Sequence, residues 1–168
     1  LRSQKDLTSP QNLKFILEAT TEADSRAFGL LEQYKSQIIA ATSAETVEMQ
    51  VKEACSTTLK KAIEYENSEL LGEAIAKMKQ HCPEHAKAFA LQSNMMYSKE
   101  TGDSKTHLKY SKQYAKTLTE DPDGLAKLAT DLGKTYKSNA AISKFGEKIL
   151  LKNNRSLFFS CQTSWELR

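Results

Sequence analysis

Apolar residues recur along the chain at spacings of three and four, the period that places them on one side of an α-helix. Leu13, Ile16 and Leu17 do so behind Thr8-Ser9-Pro10, a cap followed by a proline suited to a first helical position. Thr21-Glu22-Ala23-Asp24 reads as the start of a second helix, with Ala27, Phe28, Leu31, Tyr34 and Ile38 inward. Ser43, followed by Thr46 and Val47, opens a third, whose inner face is Val47, Val51, Ala54, Cys55, Leu59, Ala62 and Ile63. After a polar turn at Tyr65-Glu66-Asn67-Ser68 come Leu70, Leu71, Ala74, Ile75 and Met78. Cys82-Pro83 stops that helix, since a residue before proline is pushed away from helical angles. Pro83 then begins a helix with Ala86, Phe89, Ala90, Ser93, Met96 and Tyr97 as its spine. Thr101-Gly102-Asp103-Ser104 is a turn and cap, after which Leu108, Tyr110, Tyr114, Ala115 and Leu118 form a stripe. Beyond the stop at Asp121-Pro122-Asp123-Gly124, two more helices carry Leu125, Leu128, Ala129, Leu132 and Tyr136, then Ala141, Ile142, Phe145, Ile149 and Leu150. The tail, with Leu157, Phe158, Phe159 and Trp165, is apolar enough to be expected to pack. No stretch alternates as a half-buried strand does. The pattern predicts an all-α chain of eight or nine helices.

The stops are themselves spaced. Pro83 and Pro122 are 39 residues apart, and each precedes a helix-turn-helix pair: 83–100 with 104–120, then 123–136 with 139–152. Residues 46–64 with 68–81 make an earlier pair. Self-similarity at this period marks stacked helical hairpins. Through Ala86 to Tyr97, Gly102-Asp103, Leu108 to Leu118 and Asp121-Pro122, residues 46–152 resemble the tetratricopeptide-repeat class in a degenerate form. His107 and Tyr114 stand where that family keeps small residues, and the repeat is longer. The resemblance implies antiparallel hairpins stacked as an α-solenoid, with a compact helical bundle as the alternative. The expected organisation is one all-helical domain over 1–168: N-terminal helices at 1–45, hairpins at 46–152 and an apolar segment at 153–168.

Composition narrows the class further. With 168 residues, 39% hydrophobic and 27% charged, the chain can bury a core without disulfides or metal. No apolar run approaches the length of a membrane span, and no apolar stretch follows the first residues as in a secretory signal. The chain does not begin with Met and reads as a piece of a longer protein. Three scattered cysteines, Cys55, Cys82 and Cys161, argue for a reducing compartment, so an intracellular, cytoplasmic setting is expected. The formal sequon at Asn154-Arg155-Ser156 is discounted, since such triplets are common by chance and no secretory signal is seen. Charge is unevenly spread: residues 104–155 carry a net +6, and residues 1–103 a net −3.

Catalytic motifs are missing, and the chain is read as no enzyme, without cofactor, metal or small-molecule substrate. His81-Cys82-Pro83-Glu84-His85 has two histidines four apart, but the proline breaks the helix that would align them on one metal. Gly133-Lys134-Thr135 imitates the end of a phosphate loop without its upstream glycine. Lysines supply the candidate surface. Lys105, Lys109, Lys112 and Lys116 fall on one helical face, and Lys144, Lys148 and Lys152 on another. In stacked hairpins the two rows lie side by side, facing either solvent alone or an acidic partner. Tyr110 and Tyr114 sit among them and read as core residues with wet hydroxyls. The expected function is a non-catalytic protein–protein interaction scaffold that binds a peptide or helix of a partner, one with an acidic segment. Electrostatic binding of nucleic acid or an anionic membrane through the same lysines is the alternative; lysine without arginine, apart from Arg155, favours a solvated face over either contact.

Overall fold

The structure, a computed structural model, describes residues 7–118 and 121–163, with side chains as far as Leu151. It is all-helical over the described residues. In chain order the helices are α1 (Pro10–Ala19), α2 (Arg26–Gln33), α3 (Lys35–Ala41), α4 (Ala44–Glu64), α5 (Ser68–His81), α6 (Pro83–Glu100), α7 (Ser104–Tyr114), α8 (Pro122–Thr135) and α9 (Ala140–Thr163). Among the described residues no helix is long and apolar enough to cross a membrane. The chain divides into two compact units, Leu1–Thr101 and Gly102–Arg168. Lys152, the sequon, Cys161 and the tail around Phe158, Phe159 and Trp165 lie outside the described side chains.

In the first unit the caps act where the sequence places them. Ser9 accepts the Asn12 amide at 3.3 Å with Pro10 in the first turn, and Ser43 accepts the Thr46 amide at 3.0 Å. Asn67 caps α5 through the Glu69 and Leu70 amides at 2.8 and 3.2 Å. Just before it, Glu66 takes the left-handed conformation (φ 49°), and the Asn67 amide reaches back to the Ala62 carbonyl at 2.8 Å to close α4. At Cys82, φ −136° and ψ 63° end α5, and Pro83 starts α6.

Long α4 organises this unit. It packs on α1, α3, α5 and α6, while α5 also packs on α6. The core joins Leu13, Ile16, Phe28, Leu31, Ile38, Val47, Val51, Cys55, Met78 and Cys82. Phe28, Leu31 and Ile38 are fully buried, a contribution of about 2–3 kcal/mol each. A smaller cluster of Leu59, Ala62 and Leu71 closes the far end, with Phe89 and Tyr97 of α6 against it.

The second helix differs from the expectation. It starts at Ser25, whose hydroxyl accepts the Phe28 amide at 3.1 Å, and it breaks at Tyr34 (φ −110°, ψ 19°) into α2 and α3. Long-range bonds keep residues 20–25 out of a helix. The Ala23 amide donates to Thr58 Oγ1 at 2.7 Å, and Gln50 donates to the Thr20 carbonyl at 2.8 Å. Thr58 donates onward to Asp24 at 3.3 Å, while the Lys61 ammonium lies 2.9 Å from both Glu22 and Asp24. The α6 spine is also corrected: Tyr97 covers the smaller cluster, and Met96 is 49% exposed.

The second unit holds α7, α8 and α9, with α8 and α9 packed as a hairpin. Gly102 makes the turn into α7 at φ +74°, a conformation glycine adopts without strain. Asp103 caps α7 through the Thr106 amide at 3.0 Å. At its other end α7 stops at Tyr114, six residues before the expected 120. The Lys116 and Thr117 amides bond three residues back, to Gln113 and Tyr114, and tighten the chain into a turn. On α8, Leu128, Ala129 and Leu132 are buried. Ile142, Gly146 and Ile149 are buried on α9, which packs on α8, and a Cβ on Gly146 would lie 3.4 Å from the Ala129 carbonyl oxygen.

Candidate interaction surface

The inner face of α7 is polar, against expectation. His107 and Ser111, one turn apart, are buried, whereas Tyr110 and Tyr114 are half-buried. The His107 ring packs 5.1 Å from the ring of Tyr136, the residue that ends α8. With that stripe turned inward, Lys105, Lys109 and Lys112 are left exposed along the other side of the helix. Lys116 is exposed too, but it belongs to the turn after Tyr114 and does not continue the helical row.

Burial of Ile142, Gly146 and Ile149 orients α9 in the same way. Lys144 and Lys148 lie on its opposite, exposed side. One lysine of α7 reaches α9: the Lys112 ammonium sits 5.8 Å from the ring centre of Phe145. Within α7 the Lys109 ammonium sits 5.2 Å from the ring centre of Tyr110. Each ring face attracts an ammonium by about 0.5–1 kcal/mol at exposed sites. On these two helix faces Lys105, Lys109, Lys112, Lys144 and Lys148 are exposed, and two of the five lean on aromatic rings. Lys152 lies on α9, but its side chain is outside the described residues.

Two further lysines were not singled out by their sequence spacing. Lys134 and Lys137 line an open depression of about 790 Å³ at the α8–α9 turn, with Ser104, Ser138 and Asn139. Their clustering around Tyr136 is the only sequence signal for it. Gly133-Lys134-Thr135 falls at the C-terminal end of α8. A phosphate loop needs the opposite polarity, with amides at a helix N-terminus.

The histidines of the first unit are drawn apart. His81 Nε2 lies 2.9 Å from Glu32 Oε1, and the Lys35 ammonium lies 3.3 Å from Nδ1. Lysine only donates, so Nδ1 accepts, and Nε2 carries the hydrogen given to Glu32. Lys77 also reaches Glu32, at 2.7 Å. Burial pushes the Glu32 carboxyl up, but Lys77 and His81 together hold it below the ordinary range. His85 instead faces Glu48 at 3.4 Å. Among the described residues no three of His, Cys, Asp and Glu converge on a metal position. Asp121 caps α8 through the Gly124 amide at 2.8 Å, while Glu64 and Glu66 are exposed at the α4–α5 corner. No family model, curated protein or solved structure matches the chain.

Proposed function

We propose that the chain is a non-catalytic interaction module of stacked helical hairpins, of the tetratricopeptide-repeat kind. Its exposed lysines on α7 and α9 bind an acidic segment of a partner protein. The observation that supports this is the Lys112–Phe145 contact, which sets one lysine of the α7 row against an aromatic ring of the helix that carries Lys144 and Lys148. The hairpin arrangement is supported by α4, α5 and α6 packing in succession with α4 also touching α6. Cys55 and Cys82 are buried free thiols, which suits an intracellular, cytoplasmic setting.

Fluorescence anisotropy with a labelled Asp/Glu-rich helical peptide tests the reading. Lys109→Glu with Lys112→Glu should weaken binding at least tenfold, and the same pair changed to Arg should retain it. Equal affinity in the Glu variant sinks the proposal. Duplex DNA or anionic vesicles binding as tightly as the peptide, with a steep salt dependence, would instead support the nucleic-acid or membrane reading.

A further inference from the structure

We propose that the lysine face docks on the α4–α5 corner of a second copy of this chain. The proposal rests on reading that face as a surface for an acidic segment, and it names the segment.

Charge and architecture divide at the same place. The net charge changes sign at residues 103–104, and the compact units separate between Thr101 and Gly102. Each unit concentrates its charge. From residue 62 to 76 there are four glutamates, Glu64, Glu66, Glu69 and Glu73, and no Lys or Arg. All four are exposed. The lysines that bound the stretch are committed elsewhere, Lys61 to Glu22 and Asp24, Lys77 to Glu32. From residue 104 to 118 there are four lysines and no carboxylate side chain.

Shape and chemistry fit as well. Glu69 and Glu73 are one turn apart on α5, as Lys105 and Lys109 are on α7. Tyr65 stands between Glu64 and Glu66 at the corner, 62% exposed. Its ring offers an incoming ammonium the kind of face that Tyr110 and Phe145 already offer Lys109 and Lys112. The two surfaces are different patches, so the contact is head-to-tail and leaves the corner of one copy and the face of the other free for further copies. Exposed ion pairs are individually weak and screened by salt, so association is concentration-dependent and strongest at low ionic strength.

Sedimentation velocity over a hundredfold range of concentration, at about 20 mM and about 300 mM salt, reads this directly. The unaltered chain should grow in mean mass with concentration at low salt and lose that growth at high salt. Lys109→Glu with Lys112→Glu, and separately Glu69→Lys with Glu73→Lys, should each remain monomeric. An equimolar mixture of the two variants, in which an intact face meets an intact corner, should regain the association that each has lost. An unaltered chain that stays monomeric throughout, yet still binds the acidic peptide, overturns the second-copy proposal and leaves the reading of the face standing. Failure of both measurements removes both. Association that survives in each variant alone also overturns the proposal, because it runs through another surface.

Discussion

Replacing Thr58 by valine should destabilise the first unit by about 2 kcal/mol, although the two side chains have nearly the same shape. Thr58 is fully buried on α4, and its Oγ1 accepts the amide of Ala23, itself 2% exposed, at 2.7 Å. Valine leaves that amide buried without an acceptor, a loss of about 1–3 kcal/mol. It also removes the 3.3 Å bond to the Asp24 carboxylate. The added methyl recovers at most about 0.8 kcal/mol of transfer energy, so the polar loss decides the sign. Thr58→Ser keeps both bonds and should cost about 1 kcal/mol for the missing methyl. Urea unfolding with an unchanged m-value measures the difference. Amide hydrogen exchange locates it, with Ala23 losing protection in the valine variant and keeping it in the serine variant. A valine variant within about 0.5 kcal/mol of the parent would refute the reasoning. So would an unchanged Ala23 exchange rate.

The backbone offers a pair of opposite outcomes. Gly102→Ala should cost about 1 kcal/mol, since its φ of +74° disfavours a side chain even though there is open space for the Cβ. Glu66→Gly should gain up to about 1 kcal/mol by releasing a left-handed residue at φ 49°, and thermal unfolding compares the two. Stability should fall in acid. The Asp24 carboxyl is pushed up by burial but held low overall by Lys61, its own backbone amide and Thr58, and Glu32 is held low by Lys77 and His81. Unfolded chains therefore take up protons first. The contribution of both groups is present above about pH 4–5 and is lost as pH drops through the folded-state values. Asp24→Asn should flatten that slope in a pH series of urea titrations. Finally, burial raises the Cys55 thiol to about 12, with Cys82 adding to it, and burial raises Cys82 as well. Neither should react with iodoacetamide at pH 8 until the chain unfolds, and mass spectrometry of labelled peptides reads this directly.

Local signals in the sequence located most of the helices, and contacts between distant residues account for the errors. Ser9, Ser43, Asp103 and Asp121 are caps recognisable from their neighbours, and Cys82-Pro83 is a stop by sterics alone. The start of α2 was misplaced because Thr58, Lys61 and Gln50, some thirty or more residues away, tie residues 20–25 into a non-helical turn. No glycine or proline announces the break at Tyr34. In α7 an apolar period pointed to Tyr110 and Tyr114, while the buried stripe is His107 and Ser111. A buried histidine with an aromatic partner from another helix leaves no apolar trace in the sequence. The lysine rows were legible as spacing. That Lys116 leaves the row, and that Lys112 meets Phe145 of α9, are facts of tertiary geometry.

The packing of α4 on both its predecessors and its successors also determines how this unit comes apart. One face of α4 serves α1 and α3, and the same helix carries the contacts of α5 and α6. A cut near residue 45, where the repeat-like pattern begins, would strip Val47, Val51 and Cys55 of Leu13, Phe28, Leu31 and Ile38. Neither fragment would keep enough apolar burial to fold, so α1 to α6 behave as one cooperative element. Limited digestion should therefore spare the turns between α1 and α6, which open to cleavage as the unit unfolds.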